Sequence, residues 1–210
     1  MKFLWAFALL VLPLPVLAQE KRPLRWGADP TGGAPYVYQD ASGKFIGFEV
    51  ELADYLGAKL GRTSEMKKGD WARLPQLLDK PVDSADAIDI VLNGYELKES
   101  LRKTYAATIP YYAYRLALLT SRDNSDLKSW QDLTRPGGPK QTVGVLEASV
   151  AHEFARDRFG HRIELVSNQD VVTVIGRVEK KLLDATIQDS PAATYFLKEI
   201  PALKEVGEPR

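Results

Sequence analysis

Ser149 and Asp189 are the residues whose types and placement most directly suggest chemistry. Ser149 closes the run VGVLEAS and opens a helical stretch. Its hydroxyl and a helix N-terminal N–H can therefore meet an anion such as a carboxylate. Asp189 follows the run LDATIQ and precedes Ser190-Pro191, which reads as an N-cap with proline at the first helical position. Its carboxylate only accepts hydrogen bonds and suits an ammonium. Together the two would hold the charged ends of a free amino acid. Structural roles compete for both, since Asp189 can simply cap the next helix and Ser149 can be an ordinary N-cap. Glu96 is a further carboxylate that could pair with Asp189 as acid and base across a cleft, if their environments separated their pKa values. The chain has no nucleophile elbow, phosphate loop or metal-binding histidine pair. His152 and His161 lie apart on a polar stretch and read as surface residues.

Alternating strands and helices must position these groups. Leu24 and Trp26 alternate with polar neighbours as a first strand ending at Asp29. A Gly/Pro-rich loop leads to two short strands around a polar turn (Asp40, Ser42, Gly43). Phe48, Leu52, Leu56 and Leu60 then recur at helical spacing, with Glu49 and Glu51 in the first turn, where the helix dipole favours acids. A strand is expected at 63–66, a helix at 72–78 and a buried strand at 87–92, stopped by Asn93-Gly94. Beyond Pro110, strands are expected at 113–120, 142–146, 163–166 and 184–188. Helices are expected at 126–133 and 150–159, and along the stripe Val172, Ile175, Val178 and Leu182. This order predicts mainly parallel sheets covered on both faces, with a ligand beyond the carboxyl ends of the strands. The groups at those ends are Asp29, then Asn93, Gly94, Tyr95 and Glu96, then Ser149 and Asp189. Tyr36, Trp71, Tyr95 and Tyr111 are the aromatics available to line a cleft, although Trp71 and Tyr111 also suit core packing. Asp29 could equally brace its own loop.

The 28 basic and 28 acidic residues are interspersed and cancel, leaving no basic patch for a phosphate backbone and hence no nucleic-acid partner. There is no cysteine, so neither a disulfide framework nor a thiolate metal site. The N-terminus reads as a signal peptide, with Lys2, an apolar run from Phe3 to Leu14, and cleavage after Ala18. The run is short for a membrane span, and no lipidation cysteine follows it. These features point to the periplasm.

The stretch GGAPYVYQDASGKFIGFEVELADYLGAKLG resembles the opening of family 3 periplasmic solute-binding proteins, the amino-acid receptors of ABC importers. The resemblance implies a type 2 periplasmic-binding architecture, two α/β lobes with a ligand cleft between them. It implies lobe one over 19–112 after a signal peptide at 1–18, lobe two over 113–205, and a return crossing beginning at 206–210. It implies an amino acid or related zwitterion as ligand, an inner-membrane permease as partner, a monomer, and no cofactor or metal. In the family, the segment like LDATIQDSPAA carries the aspartate that pairs with the α-amino group, which is Asp189 in this sequence. The segment like VGVLEAS carries donors to the α-carboxylate, which is Ser149 in this sequence.

Two departures bear on the ligand. The family's carboxylate-clamping arginine falls at Leu101, with Arg102 one residue on, and a one-residue slip turns a side chain by about 100° on a helix. The stacking aromatic expected before Pro35 is replaced by Gly33, for which Tyr36 or Tyr95 could compensate. The chain is also shorter than the family's usual length, so lobe one is expected to lack its closing elements. A truncated product, a shortened variant and a chain completed by a partner all fit that expectation. Two other functions fit the same fold: a periplasmic dehydratase using a cleft carboxylate, and the sensing module of a signalling receptor.

Overall fold

The computed structural model describes residues 21–31 and 33–210. The signal peptide and cleavage site expected from the sequence lie outside the described residues, as does Gly32. β1 (Leu24–Ala28) is buried along its whole length rather than alternately. Arg25 goes inside with its apolar neighbours because the carbonyls of Val82 and Ser84 accept from its guanidinium at 2.7 and 3.0 Å. β2 (Tyr38–Gln39) and β3 (Phe45–Ile46) form a small antiparallel ribbon. Gly47 then starts α1 (Phe48–Lys59) at φ +128°, where any side chain would overlap the Tyr36 carbonyl. The first amides of α1 donate to the Pro35 and Tyr36 carbonyls, both at 3.2 Å, which fixes the Tyr36 loop on the helix.

The buried face of α1 is Glu49, Ala53 and Gly57, one residue on from the expected apolar stripe, and Leu60 is half exposed. Small residues take the seam because the helix backbone passes close to the turn at Arg62. Leu52 and Leu56 flank it against Trp26, Val37 and Leu92. β4 (Ser64–Lys68) and β5 (Ile90–Val91) run parallel to β1 on either side, completing a three-stranded sheet. The helix expected at 72–78 is a 3₁₀ segment, Trp71–Asp79, because Pro75 inside it has no N–H to donate. α2 (Glu99–Arg102) is a single turn.

Lobe two holds β6 (Leu116–Ser121), β7 (Thr142–Leu146), α3 (Val150–Phe159), β8 (Glu164–Asn168) and α4 (Val171–Glu179). It continues with β9 (Ala185–Asp189), α5 (Ser190–Glu199) and β10 (Leu203–Glu205). The sheet order is β10-β6-β9-β7-β8. β7, β8 and β9 are parallel, β6 pairs antiparallel with β9, and β10 pairs antiparallel with β6 at the edge. Apolar clusters cover both faces of this sheet, one around Trp130, Phe159 and Ile187, the other around Leu119, Val174 and Phe196. The helical segment expected at 126–133 is a short 3₁₀ stretch, Trp130–Thr134. On α4 the buried face is Val171, Val174, Ile175 and Val178, while Val172 and Leu182 are exposed. The helix begins at Val171 under an Asp170 cap, which sets that phase, and Leu182 lies past its end. After β10 the chain stays beside β6, with Arg210 N–H donating to the Leu116 carbonyl at 2.8 Å.

Candidate ligand cleft

The carboxyl ends of the strands in both lobes converge on one cleft. β1 delivers Asp29, and β5 delivers Asn93, Gly94 and Glu96. From lobe two, β7 leads to Ser149, β8 to Gln169 and Asp170, and β9 ends on Gln188 and Asp189. Tyr36, Trp71 and Tyr114 supply aromatic wall.

Lobe-one groups mostly hold one another. The Asp29 carboxylate braces its loop, accepting from the Thr31 N–H and hydroxyl at 2.9 and 2.6 Å and from the Trp71 N–H at 3.1 Å. The Asn93 side chain accepts from the Asp29 N–H, and its carbonyl from the Trp71 indole at 2.9 Å. Gly94 stands at φ +63°, where a Cβ would sit 3.2 Å from the Tyr36 ring. Its N–H donates to Glu49 at 2.9 and 3.1 Å. Glu49 also accepts from the Tyr111 hydroxyl. Burial raises its carboxyl from 4.5 to about 7, against the pull of those hydrogen bonds. Tyr95 stacks on the far side of Trp71, ring centroids 4.6 Å apart, and is not among the lining residues.

Glu96 reaches across to lobe two. Its Oε1 accepts from the Val150 N–H at the head of α3 (3.0 Å) and from the Tyr114 hydroxyl (3.1 Å). Oε2 is buried without a hydrogen-bond partner. Burial pushes this carboxyl up, opposed by the Val150 N–H, by Lys98 and by Tyr114. Lys98 crosses the same gap to the Ala148 carbonyl and to Glu153, the latter at 3.2 Å.

Asp189, not Ser190, is the N-cap of α5, accepting from the Ala192 N–H at 2.8 Å. The cap and the cleft roles coexist, since only one oxygen is used. Burial raises the Asp189 carboxyl, and the Tyr36 hydroxyl lies beside it without a hydrogen bond of good geometry. Ser149 caps α3, accepting from the His152 N–H at 3.1 Å and donating to the Leu146 carbonyl at 2.8 Å.

Of the ten residues proposed from sequence, eight line the cleft: Asp29, Tyr36, Trp71, Asn93, Gly94, Glu96, Ser149 and Asp189. Arg102 is not brought to it; it ends α2 with an exposed side chain. Among the polar lining residues Tyr114, Gln169, Asp170 and Gln188 were missed, as was Glu49, which holds Gly94 without itself lining the cleft. Asp170 had a local signal, as an acid three residues before Thr173 at a helix start; it caps α4 at 2.7 Å from the Thr173 N–H. Glu49 read only as a helix-dipole acid, and nothing local marks Tyr114 or Gln169.

Two α/β lobes with strand ends meeting across a shared cleft define the architecture of two-lobed periplasmic binding proteins. Residues 24–205 match the model for bacterial extracellular solute-binding proteins, family 3, and the chain belongs to that family. A probable amino-acid ABC transporter-binding protein of Haemophilus influenzae is 27% identical over 169 residues, 80% of this chain and 60% of that protein. The chain spans about three-fifths of the length of the curated relatives it matches. Among solved structures, an ancestral arginine-binding protein bound to arginine shares the fold at TM-score 0.79 and 24% identity, over 90% of this chain and 80% of that one. An ancestral amino acid-binding protein described as a precursor of cyclohexadienyl dehydratase, AncCDT-1, matches at TM-score 0.75 and 25% identity, over 88% and 76%.

Proposed function

We propose that this chain is the solute-binding component of an ABC importer, acting as a periplasmic monomer. It closes two lobes over a small ammonium-bearing solute of the amino-acid type and delivers it to an inner-membrane permease. Residues 1–18 direct export, 19–112 form the first lobe, 113–205 form the second, and 206–210 begin the return to the first. Ligand favours the closed form through contacts to both lobes at once. Neither cofactor nor metal is needed for such binding. The observation that carries this reading is Asp189, which keeps an oxygen for the cleft opposite the Asn93–Glu96 strand end. A thermal-shift screen of the chain from Gln19 onward, against amino acids, amines and small carboxylates, tests it. A ligand that binds only the folded state raises the melting midpoint, and Asp189→Ala should abolish the rise. A cooperative melt that no compound moves would refute it.

A dehydratase-like activity is the second reading. It is supported by the likeness to AncCDT-1 and by two carboxyls, Glu96 and Asp189, both raised by burial. Turnover of a cyclohexadienyl substrate, followed by absorbance and lost in Glu96→Gln, would establish it in place of the first.

A further inference from the structure

We infer that the cleft selects small organic cations that carry no free carboxylate. This rests on the receptor reading and narrows its ligand.

Four carboxylates line the cleft, from Asp29, Glu96, Asp170 and Asp189, and among the described residues no lysine, arginine or histidine does. Two of the four are spent. Asp29 uses both oxygens on Thr31 and Trp71, and Asp170 uses both on Thr173. The other two each retain one oxygen. Oε2 of Glu96 is buried and unpartnered, and Asp189 gives only Oδ1 to its helix cap. The two retained oxygens come from opposite lobes. The Tyr36 hydroxyl, on a side chain only 6% exposed, is buried in the same wall beside Asp189. A buried acceptor such as Oε2 of Glu96 is costly unless a donor arrives. An ammonium or guanidinium lying between the lobes supplies donors to both carboxylates, and Tyr36, Trp71 and Tyr114 give it aromatic surface.

A ligand carboxylate finds no cation among the described lining residues. At the head of α3 the Val150 N–H is already taken by the protein's own Glu96. The Ser149 hydroxyl has committed its hydrogen to Leu146 and a lone pair to His152. Lys98, the cation beside Glu96, is outside the lining and engaged with Ala148 and Glu153. An entering carboxylate would face Glu96 and Asp189 with no cation opposite it, and like charges that close in a poorly hydrated site repel strongly. The cleft thus supplies from its own chain the anion that a free amino acid would otherwise bring to α3.

Calorimetric titration of the intact protein with two matched pairs tests this: agmatine against arginine, and cadaverine against lysine. Each pair differs only by the α-carboxylate. At least one amine should bind, and each amine that binds should do so about tenfold or more tighter than its parent amino acid. Glu96→Gln, checked for an unchanged melt, should narrow that ratio by removing the repelling charge. Arginine or lysine binding as tightly as its amine overturns the inference, while the receptor reading stands. Binding by none of the four also overturns it, and the wider thermal-shift screen then decides the receptor reading separately. A ratio unaltered by Glu96→Gln removes Glu96 as the selecting group and overturns selection by charge repulsion from that residue.

Discussion

Glu49→Gln should flatten part of the pH dependence of stability. Glu49 is fully buried in the first turn of α1, bound to the Gly94 N–H and the Tyr111 hydroxyl. Burial is the largest influence on it, and the nearby Asp189 charge adds to the rise from 4.5 to about 7. In the unfolded chain the carboxyl loses its proton near 4.5, whereas in the folded chain it holds the proton to about 7. Between those values the folded state binds more protons, so stability falls as pH rises, by about 1.4 kcal/mol per pH unit. The contribution is fully present below pH 4.5 and gone above about 7, a loss of about 3 kcal/mol. Glutamine does not titrate, so the wild-type stability relative to the variant should decline by about that amount across the window. Asp189 and Glu96 titrate in both proteins and largely cancel. Urea unfolding followed by tryptophan fluorescence, without ligand, at half-unit steps from pH 4.5 to 8, measures the difference. A wild-type-minus-variant difference that stays constant, or grows with pH, would show that Glu49 is not held protonated by burial and would refute the reasoning.

Asp189→Asn should abolish detectable ligand shifts in the thermal screen while moving the ligand-free midpoint little, because asparagine is also a good N-cap; a retained shift would place the ammonium elsewhere. Gly94→Ala should cost about 1–2 kcal/mol from the left-handed backbone alone. It should also weaken binding by pressing a methyl on the Tyr36 ring, and unaltered affinity by calorimetry would mean that Tyr36 is free to move. Gly144→Ala forces a Cβ to 2.8 Å from Val174 and 2.6 Å from Leu183 in the lobe-two core. Overpacking of this kind costs about 1–3 kcal/mol, read as a lowered denaturation midpoint.

Elements with local signals were legible in the sequence. α3 begins where Ser149 can cap it, and the β2–β3 ribbon sits where polar turn residues separate two short strands. The phase of α1 was not, because close approach selects small residues such as Ala53 and Gly57 that apolarity does not mark, and that of α4 was set by its start at the Asp170 cap. The direction of β6 is a tertiary choice, made by pairing with a strand some seventy residues later in the chain. The same division holds for the site. Strand-end logic found Asp29, Asn93, Glu96 and Asp189, since the carboxyl ends of parallel strands must meet. It could not tell that Asp29 would be consumed as a brace, or that Glu96 would dock on the helix intended for a ligand carboxylate. Those outcomes depend on contacts between segments far apart in sequence.

The bridges from Glu96 and Lys98 to the start of α3 join one lobe to the other through the protein's own side chains. In population terms, they lower the free energy of the shut conformer in the unliganded protein. Every 1.4 kcal/mol or so that they contribute multiplies its equilibrium share about tenfold. The fraction of molecules ready to bind in the shut geometry rises accordingly, and the apparent dissociation constant moves towards the intrinsic one. The accompanying cost is contrast: a permease that senses only the shut outline would distinguish filled from empty molecules less sharply.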